Sequence, residues 1–235
     1  MAPSSDPHAA AKEAAGRRAA EEVRDGMRVG LGTGSTVHFT IVAVGERSPD
    51  VTCVATSKAT EDLATELGIR VVPPGAVDGL DLAIDGADQV DPEFNLVKGA
   101  GGAQTREKIV ATMADRFVVV IDEAKVVKRI AGVIPLEVIE FAIDIVPRAL
   151  SELGATHVRQ RAKPSDNGNP LLDASFDSIE DPIELAMALD AIPGIIEHGI
   201  FPAGMVDRVV VGAADPDAKE GDEDAKGVVR DLSRD

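Results

Sequence analysis

Cysteine is nearly absent: Cys53 is the only one in 235 residues, so no disulfide forms within the chain. Histidine is scarce, and His8, His38, His157 and His198 lie scattered without metal-ligand spacing, so no metal and no metal-dependent chemistry is expected. No apolar run approaches the roughly 20 residues that span a bilayer, and the opening MAPSSDPHAAAKEAAGRR lacks the basic-then-apolar order of a secretory signal. The expected location is the cytoplasm, with no membrane partner. Basic patches are missing as well, and the net charge of -17 argues against nucleic acid, which is bound through clustered Lys and Arg.

What is there is a globular composition, 44% hydrophobic, enough for a real core. The acidity is global: the stretch from Ala213 to Asp235 holds eight acids and four bases, and the rest of the excess is spread along the chain. Asp (24) exceeds Glu (17) and Arg (15) exceeds Lys (9), a pattern expected of a protein adapted to high salt, where self-repulsion is screened.

The first half alternates strand-like and helix-like segments. A helical pattern over Ala9 to Val23 leads to MRVGLG, a helix opening at Ser35, the strand VTCVAT, the helix KATEDLATELG, and the strands IRVVP and LDLAID. After a glycine turn come a helix through Met113 and the apolar run RFVVVIDE. Short continuous apolar runs interleaved with helices predict a Rossmann-like, mostly parallel sheet with helices on both faces. From about Leu136 the rhythm changes. LEVIEFA, VPRALSELG, THVRQ, PLLDASF, PIELAMALDAIPG and IIEHGIF spell β-α-β-β-α-β, a ferredoxin-like α+β unit, and VDRVVVGA returns to the first sheet. The expected domains are residues 1–130 with 206–214, residues 131–205, and an acidic, flexible tail over 215–235.

Three stretches could carry chemistry. In VGLGTGSTVHF a strand runs into three glycines before Ser35 and Thr36 open a helix; its exposed N–H groups suit a phosphate, though an ordinary glycine turn with a Ser cap would read the same. The Rossmann fingerprint fails because its third glycine is Ser35, and a Walker A loop fails for want of Gly-Lys-Ser/Thr. In AIDGADQVDPEFN, Asp85 closes a strand with Asp88 just beyond, where open α/β sheets gather ligands. Asp-Gly is also common turn chemistry, and a calcium loop is excluded by Ala87 at the position of its second ligand. In KGAGGAQTREK the glycines Gly99, Gly101 and Gly102 allow close backbone approach to a ligand. Glu107 falls in the first turn of the next helix, either as a complement to its dipole or as a general base whose charge Lys98 offsets. A phosphate site, a carboxylate base, a lysine and hydroxyl-binding acids, with no cofactor loop, suit proton shuttling on a phosphorylated sugar, the logic that triosephosphate isomerase illustrates.

GLGTGSTV, DGADQVD, KGAGGAQTREKI, SDNGNPLLD and DPIELAMALDAIPGIIEHGIF, in this order from about Ala11 to Gly212, resemble the type A ribose-5-phosphate isomerases. The resemblance implies interconversion of D-ribose 5-phosphate and D-ribulose 5-phosphate through a cis-enediolate, without metal or cofactor, by a homodimer or homotetramer. It implies Glu107 as the base, Asp85 and Asp88 as acids that bind sugar hydroxyls and assist ring opening, and Lys98 as a lysine that helps stabilise the enediolate, with the substrate-binding backbone of Gly99, Gly101 and Gly102 nearby. Gly32, Thr33, Gly34, Ser35 and Thr36 correspond to the phosphate-side turn, Ser57 to the adjoining strand end, and Lys12 and Lys125 to lysines near the phosphate. Gln89 departs from the family's frequent Glu, and the acidic tail is longer than usual. A related deaminase or lactonase would need a catalytic histidine, which GLGTGSTV, DGADQVD and KGAGGAQTREKI lack, and a sugar-phosphate sensor fused to a regulator would need a DNA-binding module, for which the N-terminal segment is too short.

Overall fold

The computed structural model describes residues 8–214 and 227–233. In chain order the elements are α1 (Ala9–Ala20), β1 (Arg28–Leu31), α2 (Ser35–Arg47), β2 (Thr52–Ala55), α3 (Lys58–Glu66), β3 (Arg70–Val71), β4 (Leu82–Asp85), β5 (Gln89–Val90), β6 (Leu96–Val97), α4 (Gln104–Thr112), β7 (Phe117–Asp122), β8 (Gly132–Val138), α5 (Val146–Glu152), β9 (His157–Gln160), β10 (Leu171–Phe176), α6 (Pro182–Asp190), β11 (Ile195–His198), β12 (Ile200–Phe201), β13 (Arg208–Ala213) and β14 (Val228–Ser233). They divide into two compact units, one of Met1–Gly86, Val110–Lys125 and Val206–Asp235, the other of Ala87–Ile109 and Val126–Met205.

The first unit is built on a seven-stranded sheet ordered β14-β13-β7-β4-β1-β2-β3. Every neighbouring pair from β13 to β3 is parallel, and β14 runs antiparallel to β13. β7, FVVVID, is buried at all six positions and apolar at the first five, because helices cover both faces of a parallel sheet. The strand order reverses between β1 and β4, so the chain turns leaving these two strands flank the crevice where such sheets take ligands. α3 is capped by Ser57, whose Oγ accepts from Thr60 N. The predicted parallel sheet is present, but the expectation of a flexible tail needs correction. Residues 215–226 lie outside the described residues, while 228–233 form β14, paired with β13 over six positions from Ala213↔Val228 to Arg208↔Ser233. VVRDLS has no two-residue alternation and is exposed at five of its six positions, so nothing in its sequence marked it as a strand.

The second unit holds a four-stranded antiparallel sheet ordered β11-β8-β10-β9, the arrangement the predicted β-α-β-β-α-β order demands. Ile134, Leu136, Val138, Leu172, Ala174 and Phe176 form its core with Val146 and Leu150 of α5 and Leu189 of α6. α6 starts on Asp181, whose Oδ1 accepts from Ile183 N and Glu184 N, with Pro182 at the first helical position. Two boundaries differ from expectation. The first strand is GVIPLEV rather than LEVIEFA, since Glu140–Ala142 forms a 3-10 turn. IIEHGIF breaks into β11 and β12 at Gly199, where a Cβ would lie 2.2 Å from Lys98 O. A small sheet, β12-β6-β5, was unforeseen. It draws residues 87–109 into this unit, where the sequence placed them in the first domain, because β6 pairs with β12 and Lys98 N donates to Gly199 O at 2.8 Å.

Candidate functional site

In the first unit, the candidate residues collect at the C-terminal ends of the parallel strands. β1 runs into Gly32, Thr33 and Gly34, and α2 begins at Ser35. β4 ends in Asp85, whose Oδ1 accepts from Thr33 N at 3.0 Å and from Gly86 N at 2.7 Å. Gly32 is obligatory there: a Cβ would fall 2.0 Å from Asp85 Oδ1 and 2.6 Å from its Cα. Gly34, at φ +131, caps α2 without a side-chain hydrogen bond, which leaves the first N–H groups of that helix turned toward the strand ends. Ser35 is exposed and Thr36 buried.

The hydroxyls around this turn form a directed chain. Thr60 Oγ1 donates to Gly32 O at 2.8 Å, Ser57 Oγ donates to Thr60 Oγ1 at 3.1 Å, and Thr33 Oγ1 donates to Ser57 Oγ at 2.8 Å. Thr56 Oγ1, 2.8 Å from Thr33 Oγ1, then supplies the next proton, because each hydroxyl has only one to give. Thr33 and Ser57 thus have their protons engaged in fixing the turn. Thr56 and Thr60 were not singled out in the sequence, where a Thr at a strand end or in a first helical turn is unremarkable. Lys12 is half-buried on α1, one turn before Gly16, which packs against Thr36 O and Phe39 at the start of α2. Lys125 is half-buried in the Glu123–Lys125 turn that follows β7.

In the second unit, Lys98 follows β6 and Glu107 stands in the first turn of α4. Lys98 Nζ lies 3.3 Å from Glu107 Oε2, with the side chains 3% and 5% exposed. The Phe201 ring accepts both neighbouring ammonium groups, with Lys98 Nζ 5.6 Å and Lys108 Nζ 4.9 Å from its centroid. Asp88 is half-buried and its Oδ2 accepts from Ala100 N at 2.9 Å. The glycine loop uses positive φ at Gly99 (+104) and Gly102 (+80), backbone that side-chain-bearing residues rarely adopt; Gly101 is exposed.

Several supporting residues were not foreseen. Glu137, fully buried on β8, accepts from Thr105 Oγ1 (2.5 Å), Ser165 Oγ (2.8 Å), Asn169 Nδ2 (2.7 Å) and Asn167 Nδ2 (3.1 and 3.2 Å). It ties the start of α4 to the SDNGN loop, and a lone Glu in the apolar run GVIPLEV was the available signal, since a buried charge must be satisfied. Gln89 Nε2 donates to Ala131 O at 2.7 Å while its Oε1 accepts from Ala131 N at 3.1 Å. An ionised Glu could not make the first of these bonds, since a carboxylate has no proton to donate. Asp91, three residues beyond Asp88, is structural: it accepts from Asn95 N and Nδ2 at 2.8 and 2.9 Å.

Lys108 is the second lysine of KGAGGAQTREK. Its Nζ donates to Glu197 Oε1 at 2.5 Å and to His198 O at 2.9 Å; burial lowers its pKa, against the pull of Glu197. His198 Nδ1 accepts from Ile200 N at 3.2 Å and faces Lys108 Nζ at 3.4 Å, while Nε2 reaches Asp190 Oδ1 at 3.1 Å. Burial, then the Lys108 charge, lower the imidazole to a pKa of about 4. Asp190, Glu197 and His198 bring ligand atoms within 4.8 Å of one another, but the Lys108 ammonium already supplies the cation at that place.

Residues 52–216 match the protein family described as Ribose 5-phosphate isomerase A (phosphoriboisomerase A). The Ribose-5-phosphate isomerase A of Methanoregula boonei is 49% identical over 210 residues, 86% of this chain and 89% of its own. That of Trichodesmium erythraeum is 41% identical over 246 residues, 99% and 100% of the two chains. Among solved structures, ribose 5-phosphate isomerase A from Methanocaldococcus jannaschii superposes with a TM-score of 0.84 at 36% identity, covering 97% of this chain and 100% of its own. A D-ribose-5-phosphate isomerase in complex with phospho-erythronic acid gives 0.85 at 37% identity, covering 95% and 98%.

Proposed function

Because this chain belongs to the ribose 5-phosphate isomerase A family and so interconverts D-ribose 5-phosphate and D-ribulose 5-phosphate in the pentose phosphate pathway, we propose that Glu107 is the base that carries the proton. The observation that supports this is the buried Lys98–Glu107 pair at 3.3 Å. From the open-chain aldose, Glu107 takes the C2 proton, and the C2–H electrons become the C1=C2 double bond. The C1 carbonyl electrons move onto O1, where Lys98 offsets the charge. The O2 proton passes to O1, the O2 electrons re-form a carbonyl at C2, and Glu107 returns its proton to C1. A positioned base contributes roughly 10²–10⁴-fold, and preorganised donors at the developing oxyanion several kcal/mol more.

The remaining roles follow the chemistry of each group. Asp85 and Asp88 bind sugar hydroxyls and assist ring opening. The phosphate meets the α2 N-terminus through the N–H groups of Ser35 and Thr36 and the exposed Ser35 hydroxyl, with Thr33 and Ser57 shaping the turn and Lys12 and Lys125 adding charge. Phospho-erythronic acid, bound by a similar isomerase, joins a phosphate to a carboxylate that resembles the charged enediolate, and it serves as a binding probe. The working protein is a cytoplasmic homodimer or homotetramer. Its contact surface is the apolar group Phe141, Ile145 and Met187 of the second unit, 88%, 62% and 68% exposed in the single chain.

The test is conversion of ribose 5-phosphate in EDTA by wild type and Glu107→Gln. Turnover lost in the variant, with phospho-erythronic acid still raising its Tm, is the expected result. Equal kcat in the two proteins removes Glu107 from the role.

A further inference from the structure

The Gly99–Ala100 peptide is gripped on both edges. Its carbonyl accepts from Arg161 Nη1 at 2.8 Å, and its N–H donates to Asp88 Oδ2 at 2.9 Å. In a trans peptide these two groups point in opposite directions across one rigid plane. Arg161 and Asp88 are therefore fixed relative to one another through a single planar unit, with no soft torsion in between. Arg161 Nη1 also reaches Ala100 O at 3.1 Å, so the same guanidinium holds two successive carbonyls of the loop.

Arg161 is itself held. Its Nε and Nη2 close on Asp173 Oδ1 at 2.9 and 2.6 Å, and Arg159 Nη2 takes Asp173 Oδ2 at 3.0 Å. Arg161 and Asp173 are 17% and 9% exposed, whereas Arg159 is 69% exposed, which makes Arg161 the better shielded partner. Burial would raise the Asp173 carboxyl, but the two guanidiniums outweigh it and keep the group below the usual carboxylate range. β9 and β10 pair directly, with Asp173 opposite Arg159, so the anchor rests on a sheet. The loop has no such rigidity of its own, since Gly99 and Gly102 sit at positive φ and Ala100 and Gly101 are exposed. A glycine-rich segment holds one conformation only when something outside it imposes that conformation.

We infer that Arg161, braced by Asp173, is a positioning residue for the isomerisation: it sets Asp88 in place through the Gly99–Ala100 peptide. This rests on the reading of Asp88 as a substrate-binding acid. Arg161 does not touch the sugar; it determines where the acid that does so stands. The polarity also fits, because a cation on the carbonyl side strengthens the N–H as a donor to a carboxylate on the other side.

The experiment is a double-mutant cycle on kcat and kcat/KM for ribose 5-phosphate, with Arg161→Met, Asp88→Asn and the double variant, each checked for folding by its Tm. Arg161→Met is expected to lower kcat/KM about ten- to hundredfold, and to add less than about twofold when Asp88 is already Asn, because residues acting through one unit do not add. Equal fold losses in both backgrounds would overturn the inference, as would wild-type kinetics in a folded Arg161→Met when Asp88→Asn is impaired. Wild-type kinetics in Asp88→Asn would instead overturn the underlying reading of Asp88, and the inference with it. Should Arg161→Met fail to fold, Asp173→Asn loosens the brace and leaves the guanidinium present. It is expected to show a smaller loss that also vanishes in the Asp88→Asn background, and a loss that persists there overturns the inference.

Discussion

Lys98 Nζ and Glu107 Oε2 stand 3.3 Å apart with almost no solvent at either side chain, so each offsets the other's charge in a place where water cannot substitute. Removing one partner of a buried pair typically costs about 3–5 kcal/mol, while replacing both with neutral groups costs far less. Lys98→Met is expected to lose about that much stability and at least about a hundredfold in kcat. The double variant Lys98→Met/Glu107→Gln is expected to regain much of the stability and none of the activity. Urea unfolding beside the isomerase assay separates the two effects, and a single variant as stable as wild type would show that the pair does not support the fold.

Gly32→Ala tests the closeness of β1 and β4. Its Cβ would meet not only the Asp85 carboxylate but the Asp85 Cα at 2.6 Å, which no rotamer change relieves. The strand ends must part, at about 1–3 kcal/mol for such overpacking, and Asp85 must move. A kcat at least about tenfold lower is the expected outcome, since small misplacements of positioned groups cost rates of that order or more. Gly75→Ala, where a Cβ meets nothing within 4 Å, is the matched control and should behave as wild type. Full activity in Gly32→Ala would mean that Asp85 is not held by this contact.

His198 gives the fold a defined acid sensitivity. Its folded pKa, about 4, lies below the ordinary value of 6.5, because the ring is buried and the Lys108 ammonium stands beside it. Between these two values the unfolded chain binds the proton more readily. The contribution is therefore complete above pH 6.5 and is lost as pH falls through the window, the loss reaching up to about 3 kcal/mol at the lower end. Asp190 and Glu197 face the same ring from the opposite charge and limit the loss. Unfolding free energies measured across this window should slope less steeply in His198→Gln, and an unchanged slope would assign the acid sensitivity elsewhere.

We propose that the acidic composition reflects a high-salt habitat. With a net charge of -17, self-repulsion should be relieved in molar KCl, where the Debye length shrinks to about 3 Å. The thermal midpoint is expected to rise between dilute buffer and molar KCl. Equal midpoints would leave the composition without a role in stability.

The alternation of apolar runs with helices was enough to read the parallel sheet, and the β-α-β-β-α-β order was enough for the second sheet, because both signals are local. What stayed hidden depends on contacts between distant residues. β6 is only Leu96–Val97, too short for any periodicity, and it exists because Ile200–Phe201 pairs with it. Glu107 and Lys98 could be named from their motif, while Arg161 lies just past the end of the strand β9, and its partners Gly99 and Asp173 are 62 and 12 residues away. The hydroxyls of Thr56 and Thr60 were equally silent, since a threonine's sequence neighbours do not say where its single proton goes.

β14 also changes what the end of the chain means. β13 is buried at four of its six positions, and its outer row of backbone donors and acceptors is satisfied by Val228–Ser233. A chain shortened after Ala214 would keep every candidate site residue and yet present β13 as a bare, valine-rich border, ready to zip onto the same border of a second molecule. The last described strand therefore works as a selvedge, and a segment whose sequence looks like surplus keeps the β13 border covered.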